Sequence, residues 1–169
     1  MKIFGKTILI SILFQPLFCF NLNTAEKIIR VDFSKMILRV ENNGKIEAEF
    51  KVALPRKNPN LPVKGKVQKI ILNPTWYPTE PTREYYLKTK KTELPKIIPP
   101  GHPLNALGIG AIDIDFESKN INPLVKIHGT NDPASIGQKI TRGCIRLKNE
   151  DFLKLKNLIS GYKVFVIFE

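Results

Sequence analysis

The sequence predicts one mainly β domain with one or two short helices, arranged as a sandwich or open barrel and not as a doubly wound parallel sheet. Three observations carry that reading. Period-two alternation of apolar and polar residues recurs at 45–52 and 109–116. The chain end, 162–168, is nearly all apolar, which suits only a strand covered on both sides. Helical periodicity with its start and stop signals occurs once, after Asn149.

In chain order, 27–33 and 36–40 are short, apolar and β-rich, and Asn42-Asn43-Gly44 supplies residues that accept positive φ in a tight hairpin turn. In the strand that follows, Ile46, Ala48, Phe50 and Val52 fall on one face and Lys45, Glu47, Glu49 and Lys51 on the other. A further strand is expected at 66–72. Ten of the thirteen prolines then lie between Pro55 and Pro103, leaving room for only a few helical turns around 82–91. Ile112, Ile114 and Phe116 alternate with Asp113 and Asp115 in the next strand, and 123–128 reads as a short one. Asn149 is expected to cap a helix carrying Glu150 and Asp151 in its first turn. Phe152, Leu155, Leu158 and Ile159 form that helix's inner stripe, and Gly161 stops it.

The first 25 residues have a character of their own. Lys2 and Lys6 precede an apolar run at 8–20, broken by Ser11, Gln15 and Pro16, and Asn21-Leu22-Asn23-Thr24-Ala25 follows. This is the layout of a secretory signal cleaved after Ala25, which divides the chain into a leader, 1–25, and one domain, 26–169. As a helix the run would reach about 20 Å against a hydrocarbon core of about 30 Å. The alternatives are an uncleaved anchor or a buried helix. Bulky Phe18 stands before Cys19, where a lipoprotein signal carries a small residue.

An apolar fraction of 43% excludes disorder throughout. Lys+Arg 27 against Asp+Glu 15 gives a net charge of +12, of which Lys2 and Lys6 leave with the leader. Such a surface favours anionic partners. Export argues against nucleic acid and points to the periplasm or cell envelope, with membrane contact through the leader alone. Removal of Cys19 makes Cys144 the single thiol of the mature domain. It is a buried small hydrophobe, an intermolecular partner or a reactive group.

His128 closes a strand and Cys144 follows sixteen positions later, just before a helix. A free thiol with pKa about 8.5 is mostly protonated at neutral pH, and a nearby imidazole can take its proton and return it to a leaving amine. Gly143 removes a side chain beside the sulfur, so the N–H groups of Gly143 and Cys144 can approach a substrate oxygen. If 144–147 is extended, Cys144 and Arg146 share a face while Ile145 and Leu147 enter the core. Arg146 is then placed to hold a substrate carboxylate or carbonyl.

His128-Gly129-Thr130, Ser135-Ile136-Gly137 and Thr141-Arg142-Gly143-Cys144-Ile145-Arg146-Leu147 together resemble the signature of the L,D-transpeptidase (YkuD-like) catalytic domain. Asn73-Pro74-Thr75-Trp76-Tyr77-Pro78 and the segment from Pro99-Pro100-Gly101 to Asn105-Ala106-Leu107-Gly108 are similar to the family's cleft-lining stretches. The resemblance runs from about Ile28 to Phe168. It implies a β-sandwich-like fold with mixed sheets and no cofactor. It also implies a thioester between the cysteine and a peptidoglycan stem peptide, with release of D-alanine and resolution by an amine of a second stem, and susceptibility to carbapenems. By the same resemblance Cys144 is the nucleophile, His128 the base and the Gly129 carbonyl the group that orients it. Gly143 and Cys144 supply oxyanion donors, supported by Thr141 and Arg146. Arg142, where many members carry His, Gln or Ser, and His102, in the proline-rich run, depart from the family pattern.

Other readings stay open beside these. Arg146 is alternatively a solvated charge or a partner of Glu150, and Arg142 a surface charge or a cleft residue. Trp76 and Tyr77 pack their loop or meet substrate. The acceptor is a stem amine, water, a free D-amino acid or a lysine of an outer-membrane protein. A wall-binding module with an idle thiol is the non-enzymatic alternative. The one cysteine and two histidines of the mature domain are too few for a structural zinc site, and a monomer is expected.

Overall fold

The computed structural model describes residues 25–169, so the leader lies outside the described residues but for Ala25. The strands are β1 (Glu26–Asp32), β2 (Ile37–Asn42), β3 (Lys45–Lys51), β4 (Leu54–Pro55), β5 (Val63–Leu72), β6 (Gly110–Phe116), β7 (Lys126–His128), β8 (Lys139–Thr141), β9 (Ile145–Arg146) and β10 (Lys163–Phe168). Helix α1 (Glu80–Lys90) follows β5, and α2 (Asn149–Ile159) lies between β9 and β10. Among these elements no helix is long and apolar enough to cross a membrane.

Eight strands form one curled mixed sheet in the order β3-β2-β1-β10-β5-β6-β7-β9, while β4 and β8 form a small parallel pair. The sheet is mixed because β1 with β10 and β7 with β9 run parallel. Its two ends approach each other. Ala53, just past β3, exchanges backbone hydrogen bonds of 2.9 and 3.0 Å with Arg146 in β9. That bridge draws the sheet toward an open barrel, and it anchors the strand carrying Arg146 on both sides.

The apolar chain end is central, as its composition requires: β10 pairs with β1 on one side and β5 on the other. Val164, Val166 and Phe168 point inward with Ile29, Val31, Leu38 and Ile112. At the β2–β3 turn Asn43 and Gly44 adopt φ of 49° and 76°, the geometry of a tight hairpin. The alternation in β3 is realised only in its second half. Phe50 is buried but Ile46 is 55% exposed, because a register shift at Val40/Glu41 pairs Ile46 with Glu41 and turns it to the outer face.

Helix α2 covers the core with Phe152, Leu155 and Ile159, each side chain stabilising by roughly 1.5–3 kcal/mol on full burial. Helix α1 buries no residue at all. It is held from outside by side-chain contacts. Among them is the edge-on packing of Trp76 on Tyr86, with ring centroids 6.3 Å apart.

Candidate active site

Strand β7 ends on His128, and β9 begins one residue after Cys144. The two pair in parallel, Ile127 opposite Ile145 and His128 opposite Arg146. Ile127, Ile145 and Leu147 are fully buried in the core. Alternation therefore sends Cys144 and Arg146 to the opposite face, as the sequence predicts, and His128 with them. There they line one cleft of about 590 Å³ with Lys126, Thr141, Arg142 and Gly143. Cys144 stands just before the strand that pairs with that of His128, and both side chains open onto this cleft.

The His128 ring is 3% exposed. Its Nδ1 lies 2.6 Å from the Gly129 carbonyl oxygen. A carbonyl only accepts, so Nδ1 carries the proton and Nε2 keeps its lone pair. Burial pushes this imidazole down to about 3, with the charges of Arg146 and Lys126 adding to the effect and the Gly129 and Ala106 carbonyls opposing it. The ring is neutral at physiological pH.

Cys144 is half-buried, and its thiol faces the Leu124 carbonyl at 3.8 Å. Burial pushes the thiol above its ordinary range, opposed by the Lys126 backbone N–H and the charges of Arg146, Lys126 and Arg142. Both members of the pair are neutral at rest. The arrangement suits proton transfer at the moment of attack, without a standing thiolate–imidazolium pair.

The surrounding groups hold the backbone at Cys144. Thr141 is buried, and its hydroxyl donates to the Cys144 carbonyl at 2.6 Å. The same oxygen accepts a long 3.4 Å bond from the Gly143 N–H. Arg146 has a buried Nε without a partner, and among the described residues no carboxylate pairs with it, so the ion pair with Glu150 is not formed. Arg142 donates to the Pro81 carbonyl at 2.8 Å and to the Thr82 hydroxyl, tying the loop before Cys144 to the start of α1.

The model of the L,D-transpeptidase catalytic domain matches residues 26–166. The chain belongs to the L,D-transpeptidase catalytic domain family. Among curated relatives it is similar to the probable L,D-transpeptidase ErfK/SrfK of Salmonella typhimurium, 45% identical over 95 residues, 56% of this chain and 28% of the relative. It is also similar to the putative L,D-transpeptidase YkuD of Bacillus subtilis, 33% identical over 87 residues, 51% of this chain and 44% of the relative. The match thus spans less than half of each of these relatives. Of solved structures, an L,D-transpeptidase from Mycobacterium smegmatis superposes with a TM-score of 0.59 at 14% identity, covering 86% of this chain and 59% of that one. The transpeptidase LdtMt1, solved in complex with imipenem, gives a TM-score of 0.55 at 15% identity, covering 85% and 59%. At such identities the likeness establishes the fold.

Within this L,D-transpeptidase domain several residues fall elsewhere than the sequence suggests. Lys148, not Asn149, occupies the N-cap of α2, and no side chain caps that end. The Asn149 side chain instead accepts hydrogen bonds from the backbone N–H groups of Ile109, at 3.1 Å, and Thr130, at 3.0 Å. The strand expected at 123–128 shortens to Lys126–His128, because Asn122 turns the chain by accepting the Leu124 N–H at 2.9 Å. His102 is exposed in its loop, accepting the Leu104 N–H at 3.1 Å, and is no part of the cleft lining. Trp76 and Tyr77 do line the cleft, with Tyr85 and Tyr86 of α1, two aromatics that sequence reasoning did not assign to it. Their spacing carries no helical signal that would have announced a cleft wall.

Proposed function

We propose that this protein is an exported cysteine L,D-transpeptidase acting on peptidoglycan stem peptides in the periplasm or cell envelope. The observation that carries the reading is the shared opening of Cys144 and His128 onto one cleft, with the His128 Nδ1–H engaged by Gly129 and Nε2 left to take a proton. As Cys144 Sγ attacks the carbonyl of the third-position diamino acid, its proton passes to Nε2. The carbonyl oxygen gains negative charge opposite the Cys144 N–H and the Gly143 N–H, which exchanges its long bond to the Thr141 hydroxyl for the substrate oxygen. Collapse breaks the C–N bond, the imidazolium returns its proton to the departing D-alanine amine, and a thioester remains. An amine of a second stem then loses a proton to Nε2, attacks the thioester and releases the thiol with a 3-3 cross-link formed.

Arg146 supports this reading as a substrate ligand. Its side chain lines the cleft with no carboxylate partner among the described residues, so its charge is placed to meet a substrate carboxylate or carbonyl. The aromatic wall formed by Trp76, Tyr77, Tyr85 and Tyr86 suits the apolar faces of a peptide or sugar.

Incubation of the protein with tetrapeptide muropeptides tests the proposal by mass spectrometry. Loss of one D-alanine and a cross-linked dimer are expected. Loss of D-alanine with only a tripeptide product would instead identify water as acceptor, and a new terminal residue a D-amino acid. Unchanged muropeptides with folded protein would refute the transpeptidase reading.

A further inference from the structure

We propose that Asn149 is a positioning residue for His128, acting through the single peptide unit between Gly129 and Thr130. That unit is gripped at both ends. Its carbonyl accepts the His128 Nδ1–H at 2.6 Å, and its N–H donates to Asn149 Oδ1 at 3.0 Å. The same Oδ1 accepts the Ile109 N–H at 3.1 Å, so one side-chain oxygen ties the base's peptide to the strand entering β6.

The rest of the backbone around His128 is already fixed. Its carbonyl accepts the Leu147 N–H at 2.8 Å, and the Gly129 N–H donates to Gly110 at 2.9 Å. The remaining freedom is rotation of the Gly129–Thr130 peptide plane, which a glycine permits more readily than any other residue. A flipped plane would turn an N–H toward Nδ1 in place of the carbonyl. Nδ1 would then become the acceptor, the ring proton would move to Nε2, and no lone pair would face the thiol. Asn149 opposes that flip, because it accepts the N–H only in the orientation seen.

Space around the oxygen agrees with this assignment. A Cβ on Gly129 or on Gly108 would overlap Asn149 Oδ1, and Gly108 also adopts φ of 62°. The oxygen serves no cap for its own helix. The proposal rests on the reading of His128 as base, but its structural part can be read without substrate.

The test is ¹⁵N-histidine NMR on the protein with His102→Gln, which leaves one ring to observe, combined with D-alanine release kinetics. Asn149→Asp retains an acceptor oxygen, whereas Asn149→Ala does not. The parent and Asn149→Asp are expected to keep the proton on Nδ1, and Asn149→Ala to show a mixture of tautomers with an unchanged amide spectrum in the core strands. The kcat of Asn149→Ala should fall about 10- to 100-fold with KM within about threefold, as expected when a reacting group loses alignment. Asn149→Asp should stay within about fivefold of the parent. If Asn149→Ala is unfolded, Asn149→Ser, whose hydroxyl is too short to reach both amides, takes its place in the ring measurement. A folded Asn149→Ala or Asn149→Ser with the Nδ1–H tautomer and parental kcat overturns the proposal. A parent protein that releases no D-alanine would refute the transpeptidase reading instead, and the ring shifts would still decide the role of Asn149.

Discussion

The hydroxyl of Thr141 donates a 2.6 Å hydrogen bond to the carbonyl of Cys144, so the Cys144 backbone is held from three residues upstream. Thr141→Val keeps the shape and removes the donor, leaving a carbonyl unsatisfied at a cost of about 1–3 kcal/mol. Release of D-alanine should slow by about tenfold, with a Tm lowered by several degrees. Thr141→Ser should restore most of both, and unchanged kinetics and melting in Thr141→Val would show the bond to be idle.

A thiol pushed up by burial is less ionised at any given pH than a free cysteine. Alkylation of Cys144 by iodoacetamide at pH 7 should therefore be slower than that of a cysteine peptide, with its midpoint at higher pH. Arg146→Gln removes a charge that favours the thiolate, and should move that midpoint further up. A midpoint below that of the free peptide would mean that a standing thiolate exists.

Burial holds His128 near 3, below the ordinary imidazole value of 6.5. The sign follows from proton counting. Between those values the unfolded chain binds the proton that the folded one refuses, so stability is complete above about 6.5 and falls as pH drops toward 3. The loss is about 1.4 kcal/mol per pH unit from this group alone. Urea midpoints measured from pH 7 to 4 should fall less steeply in His128→Gln than in the parent, and parallel curves would contradict the neutral buried ring.

Helix α1 contributes no buried residue, yet two arginines reach it. Arg142 bonds to Pro81 and Thr82, and Arg56 donates to the Tyr85 hydroxyl at 2.9 Å. Arg142→Ala should hasten proteolytic cleavage within α1 and raise KM for the muropeptide several-fold, with kcat within about twofold. Equal cleavage rates in the two proteins would show that Arg142 does not hold the helix.

Much of this site is legible in the chain because its parts are local. His128, Gly129, Thr141, Gly143, Cys144 and Arg146 sit on or beside three short strands, β7, β8 and β9, where alternation decides which side chains face the cleft. The central place of β10 follows likewise from its composition. Asn149 is different. An asparagine ahead of Glu150 and Asp151 reads as a helix cap, but its partners, Thr130 and Ile109, lie nineteen and forty residues away, and no local pattern reports them. Ile46 misleads for a related reason, since a register shift in the paired strand decides its exposure. The aromatic wall of α1 is hidden because that helix lacks an apolar stripe, and side-chain contacts fix its position.

Attack of Cys144 on a carbonyl, with His128 taking its proton, is read out by intact-mass spectrometry after exposure to imipenem. The parent protein should gain one carbapenem mass, Cys144→Ala none, and His128→Ala should acquire it at least 100-fold more slowly, the usual contribution of a general base being about 10²–10⁴. An adduct that persists in Cys144→Ala, or forms equally fast without His128, would contradict it.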